Sequence, residues 1–175
     1  MITIKYFWII LTAVILLLTT ACSSSEAPID KQKEAFQSWR NDFKLYSTAM
    51  DDYSAKYNLL VKKLSEGTIS KEQAYLDLKD ISDKYIGFHL LLQDRFRIPE
   101  GFSEKNTELF KQSKQSFEDS LNGNHDAVKN LLNYLDDPQP KYLSEIKTAL
   151  DFSKNSYKKS LEYQNKISTN LGIKE

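Results

Sequence analysis

Between Phe36 and Leu64 the large apolar residues fall at Phe36, Trp39, Phe43, Tyr46, Met50, Tyr53, Tyr57, Leu60 and Leu64, so the step alternates between three and four residues without a break. A strand requires a step of two, whereas a mean step of ~3.5 requires a helix with one continuous seam packed against other helices. The rings on that seam are too bulky for a two-stranded coil and suit the wider interior of a bundle. This one stretch therefore commits a large share of the chain to helical packing.

Three further segments repeat the pattern, separated by the chain's few glycines and prolines at Gly67, Pro99–Gly101 and Pro138–Pro140. The second opens on Ser70-Lys71-Glu72-Gln73, where Ser70 can cap the helix and Gln73 can reach back to it. Its seam is Ala74, Leu78, Ile81, Tyr85, Phe88 and Leu92, and Pro99 ends it. The third starts at Ser103, with Phe110, Ser113, Phe117, Leu121, Val128, Leu131 and Leu135 as its stripe. Gly123 interrupts it, at a cost of ~1 kcal/mol relative to alanine. The stripe resumes in phase, so one continuous helix is expected, with a break and a fifth helix capped by Asn124 as the alternative. In the fourth, Asp137 is expected to cap and Pro138 to occupy the first turn. Leu143, Ile146, Leu150, Ser153, Tyr157, Ile167 and Leu171 form its stripe, and Gly172-Ile173 reads as a left-handed stop. The expected fold is all-α, an up-down-up-down four-helix bundle over residues 31–175.

The first 21 residues belong to something else. They carry one charge, Lys5, then the apolar run Tyr6–Leu18, then the small residues Thr19, Thr20 and Ala21. That is the layout of a secretory signal. The run would make ~20 Å of helix against a hydrocarbon core of ~30 Å, which favours cleavage over a permanent span. The chain's only cysteine, Cys22, follows at once. Residues 22–30 are small and polar after the cysteine and read as a short flexible tether.

The stretch Leu18-Thr19-Thr20-Ala21-Cys22 resembles the lipobox of bacterial lipoproteins. The resemblance implies cleavage of a signal peptide, residues 1–21, after Ala21, and a diacylglycerol thioether on Cys22, often with a further palmitate-like chain on the new amine. It places the protein at the cell membrane, lipid-anchored on the extracytoplasmic face. The mature part is similar to small helical-bundle lipoproteins of Gram-positive bacteria in its "GTISKEQAYLDL" opening of the second helix, its "RIPEGF" connection and its long third helix before a proline-rich turn. That similarity implies a fold and an address and no activity.

Charge and chemistry narrow the function further. Removing residues 1–21 takes away Lys5 and no acid, which leaves 23 basic and 24 acidic side chains. Such a balance offers nothing to nucleic acid or to anionic lipid. His89 and His125 each lack a second His or Cys within helical reach, so no metal is expected and both are read as helix-flank residues. Asp77, Asp80 and Asp83 share one helical face and are read as solvated beside Lys79 and Lys84. No nucleophile motif or phosphate-cradling loop occurs, so neither a catalytic residue nor a cofactor is expected. The expectation is a non-catalytic helical interaction module at the cell surface, bound to the membrane through Cys22 and to a protein or cell-wall partner. The alternative is a small-ligand-binding or sensory bundle with a tyrosine-lined interior, for which Tyr53, Tyr57, Tyr85 and Tyr157 are the candidate residues. Ser113, Ser120, Ser153, Ser160 and Gln164 are the expected hydrogen-bond partners of those phenols.

Overall fold

A computed structural model of the chain describes residues 26–173, and among them the regular structure is four helices and no strand. They are α1 (Ile29–Ser65), α2 (Lys71–Arg95), α3 (Glu104–Asp136) and α4 (Pro140–Asn170). The signal segment, Ala21 and Cys22 lie outside the described residues.

Local chemistry accounts for most of the helix ends. The Ser70 side chain accepts a hydrogen bond from the Gln73 amide at 3.1 Å, and Ser103 accepts one from the Asn106 amide at 3.3 Å, each satisfying an otherwise unpaired donor. The Gln73 side chain turns forward to Asp77 at 2.8 Å instead of back, so the capping box is half formed. Gly67 and Gly172 both adopt φ +66, and the amides that follow reach back five residues, Thr68 to Lys63 at 2.9 Å and Ile173 to Ser168 at 3.0 Å. These are glycine stops of the Schellman kind. Two ends differ from expectation. Pro140, not Pro138, takes the first turn of α4, and Asp137 caps the end of α3. At the amino end α1 begins at Ile29, and residues 27–30, read from composition as the end of the flexible tether, belong to the folded domain.

The direction of each helix follows from which residues meet. Tyr46 packs on Phe88 and Tyr53 on Tyr85, with ring centroids 5.8 and 5.5 Å apart, so α1 and α2 run antiparallel. Phe36 meets Phe110 and Phe43 meets Phe117, which makes α1 and α3 parallel. Ser113 meets Ser160 and Ser120 meets Ser153, which makes α3 and α4 antiparallel. Helix α4 lies along α3, and α1 with α2 closes over the other side.

The seams expected for α1 and α2 are the buried ones. Phe36, Trp39, Phe43, Met50, Tyr57 and Leu60 are core residues, with Tyr46, Tyr53 and Leu64 half-buried at its rim, and all six seam residues of α2 are buried. Helix α3 is continuous through Gly123, so no fifth helix forms. Helix α4 departs from expectation in part. Of its expected stripe Ser153, Ile167 and Leu171 are buried, Ile146, Leu150 and Tyr157 are half-buried and Leu143 is 49% exposed, and the buried face runs on instead through Ser156, Ser160, Gln164 and Ser168.

The reason is how closely α3 and α4 approach. A Cβ placed on Gly123 would lie 2.7 Å from the carbonyl oxygen of Ala149 and 2.9 Å from the backbone nitrogen of Ser153. Backbones that near admit only small side chains between them, whatever their polarity. The α3 face supplies Ser113, Ser116, Ser120, Gly123 and Ala127, again stepping by three and four.

Candidate functional site

Of the four tyrosines nominated from the sequence, Tyr53, Tyr57 and Tyr85 come together and Tyr157 does not. Tyr53 and Tyr85 meet edge to face, and Tyr57 lies near enough to Tyr85 for their charges to interact. Tyr157 sits apart, stacked on Phe43 at 6.0 Å and tilted against Phe117 at 6.3 Å. All four rings are used in packing. The serines do not serve them either. The Tyr85 hydroxyl shares its hydrogen bond with Ser54 of α1, at 3.2 Å.

The serines bond to one another. The Ser113 hydroxyl lies 3.0 Å from the Ser160 hydroxyl, and each also reaches the other's backbone carbonyl, Ser113 to Ser160 at 3.0 Å and Ser160 to Ser113 at 2.8 Å. The Ser120 and Ser153 hydroxyls are 3.1 Å apart. These pairs remove the cost of burying hydroxyls, each worth ~1–3 kcal/mol if left unpaired. They leave no free hydroxyl beside a base, so the arrangement is structural.

Tyr57 carries a measurable electrostatic consequence of its burial. Desolvation, and secondly the neighbouring Tyr85, push its phenol up to about 12. Burial likewise raises Tyr85, against the opposing effect of its hydrogen bond with Ser54. In the unfolded chain tyrosine ionises near ~10, so the fold holds these protons longer. The stability they contribute is whole below pH ~10 and is lost as pH climbs toward 12. For Tyr57 the loss is on the order of 2 kcal/mol. Urea unfolding midpoints measured across that window are expected to fall steeply in the natural protein. In Tyr57→Phe they are expected to fall less, with Tyr85 carrying the remainder. Parallel curves for the two proteins would show that Tyr57 does not retain its proton.

Both histidines face one shallow groove between α2 and α3, of about 140 Å³, lined by Tyr85, Ile86, His89, Leu90, Leu121, Asn122 and His125. His125 Nε2 lies 2.9 Å from the Ser82 hydroxyl, and His89 Nε2 lies 2.9 Å from the Gln93 side-chain amide. His89 Nδ1 is buried with no hydrogen-bond partner. Burial, with the positive charge of Lys129 second, lowers the His125 pKa. Sequence reading missed this juxtaposition because the two positions lie on different helices, 36 residues apart. Among the described residues no group of three or more His, Cys, Asp or Glu is placed to hold a metal ion. Asp77 and Asp80, two of the three acids on one face of α2, are engaged by Gln73 and by Lys84. Among the described residues no helix is long and apolar enough to cross a membrane.

The two ends of the bundle differ in character. One carries the α1–α2 turn and the α3–α4 connection, side by side, with Lys71, Glu72, Tyr75, Leu76 and Asp136 around a shallow depression. The other gathers the amino-terminal end, the α2–α3 connection and the end of α4. There Asn170 donates to Asn106 at 2.7 Å, and the Ala27 amide donates to the Gly101 carbonyl at 2.8 Å. The α2–α3 connection is well anchored. Phe96 stacks on Trp39 at 4.8 Å and Phe102 meets Phe110 edge-on at 4.8 Å.

Comparison of the chain with protein-family models, with curated proteins and with solved structures finds no match.

Proposed function

We propose that the protein is a lipid-anchored, extracytoplasmic module that works by binding another macromolecule at the cell surface and not by catalysis. The observation that carries this reading is the position of the lone cysteine. Cys22 follows a 13-residue apolar run and the small residues Thr19–Ala21, and the folded domain begins within a few residues of it. A thioether-linked diacylglycerol brings two acyl chains, and with ~0.8 kcal/mol for each buried CH₂ two chains hold a protein stably where one does not. The interior supports a binding role over a chemical one, because its hydroxyls are paired with each other and its aromatic rings are packed on each other.

The test is Cys22→Ser in the full chain. The variant is expected to carry no label after growth with a clickable palmitate analogue, and either to keep its signal uncleaved or to be released, while the natural protein is labelled and sediments with membranes. Equal labelling of the two would refute lipidation at this cysteine. Crosslinking on intact cells then addresses the partner.

The groove beside Tyr85 favours a second reading, that of a small-ligand sensor. Its volume of about 140 Å³ falls below the ~300–1,000 Å³ that ligand sites enclose. This groove would accept only a very small molecule.

A further inference from the structure

The amino-terminal end of the domain is tied down more firmly than a spacer needs to be. The Ala27 amide donates to Gly101 at 2.8 Å, and the Ala27 carbonyl accepts from the side chain of Gln32 at 2.7 Å, with Gln32 itself only 6% exposed. Ala27 packs so closely on Gly101 that a Cβ there would lie 2.9 Å from the Ala27 methyl. Gly101 takes φ +83, which L side chains rarely adopt. Phe96 and Phe102, on either side of this contact point, are plugged into the core. Ala27 is thus clamped to the α2–α3 connection.

That clamp shortens the leash. Only residues 23–26 separate Cys22 from Ala27, and five residue steps span at most ~18 Å. Helix α1, with 37 residues, is ~55 Å long. The geometry points to an interaction surface: the end of the bundle formed by Ile29, the Arg97–Gly101 connection and the Gly172–Ile173 stop seats on the lipid headgroups. The bundle then stands with the α1–α2 turn and the α3–α4 connection ~50 Å outward. This inference rests on the lipid reading of Cys22. Charge does not oppose it. Lys31, Arg95, Arg97 and Lys105 at this end stand among Glu26, Asp30, Asp94, Glu100 and Glu104, so there is no basic excess, and the seating comes from the clamp and the acyl chains and does not weaken with salt. With 23 basic and 24 acidic side chains after residue 21, the chain has no net positive charge to draw the rod down onto an anionic membrane.

Lipidation consumes the chain's only cysteine, so an introduced one is a unique label. Glu100→Cys and Glu66→Cys, both at exposed positions at opposite ends, each take a fluorescent donor in the processed lipoprotein. The labelled proteins are inserted into vesicles of phosphatidylcholine and phosphatidylglycerol that carry an acceptor-labelled lipid. Energy transfer is expected to be several-fold more efficient from position 100 than from position 66, in low and high salt alike. In Gln32→Ala, which removes one tie on Ala27, that ratio is expected to shrink. Equal transfer from the two positions, in protein whose mass includes the diacylglyceryl group, would overturn the upright seating and leave the anchor standing. A mature protein with no lipid mass on Cys22 would overturn both. Hydrogen exchange of the Ala27 amide separates the clamp from the membrane: slow exchange in lipid-free protein supports it, and exchange at the rate of free chain refutes it.

Discussion

Gly123→Val destabilises the domain by about 3 kcal/mol or more, at the upper end of what overpacking costs, while Gly87→Ala stabilises it by about 0.5–1 kcal/mol. Both glycines lie inside helices, and on propensity alone either would gain from a side chain. The surroundings set the opposite signs. Gly87 is exposed, and a Cβ there meets nothing within 4 Å. At Gly123 the nearest atoms belong mainly to the opposing backbone, the Ala149 carbonyl and the Ser153 nitrogen, and a backbone cannot rotate away as a side chain would. The helices must part instead. Parting stretches the Ser120–Ser153 and Ser113–Ser160 hydrogen bonds, so one added side chain loosens a ladder of paired hydroxyls. Gly123→Ala is expected to fall between the two, still below the natural protein, because the first methyl already overlaps. For a domain of this size ~1 kcal/mol moves Tm by ~2–4 °C, so thermal melts followed by circular dichroism read all three variants. A Gly123→Val melt within two or three degrees of the natural protein would mean that α3 and α4 are not in the contact described here.

The unequal legibility of the four helices has a physical cause. On α2 the hydrophobic period identified the buried face residue by residue, and on α1 it identified six buried positions and three at the rim, because those helices meet the core through large side chains and hydropathy records which side chains leave water. Helix α4 meets α3 almost backbone to backbone, and there size decides. Ser153, Ser156 and Ser160 qualify because they are small, and their hydroxyls are tolerated because Ser113 and Ser120 pair with two of them. A scan for small residues at three-four spacing would have found both faces and would have read Gly123 as a notch instead of a weak point. That Tyr157 lies apart from the other three nominated tyrosines has a related reason. Four tyrosines on seams share a periodicity, but periodicity says nothing about depth along the bundle, and Tyr157 sits with Phe43 and Phe117, away from Tyr53 and Tyr85. The hold on Ala27 depends on a glycine carbonyl 74 residues away, a contact no local pattern encodes.

Phe117→Ala is expected to cost about 4–5 kcal/mol, the upper part of the range for deleting a buried ring. Phe117 has no exposed surface and stands where three helices meet, its ring 4.7 Å from Phe43 of α1 and 6.3 Å from Tyr157 of α4. Each such aromatic pair adds ~0.5–1.5 kcal/mol beyond the area it buries. What sets the cost of a truncation is how far the surroundings can close over the void. Here one wall is already at its limit, since α3 and α4 touch at Gly123 and cannot move nearer to refill the space, and the small serines on that face carry no reach. The cavity therefore persists and the loss stays near its maximum. Phe152→Ala supplies the comparison: that ring is 49% exposed, and its removal is expected to change stability by less than about 0.5 kcal/mol. Urea unfolding at neutral pH, with the slope checked for constancy, gives both values. A loss below ~2 kcal/mol at Phe117 would show that the bundle collapses onto the gap. The close seam between α3 and α4 would then be a yielding surface and not the rigid wall on which α1 is packed.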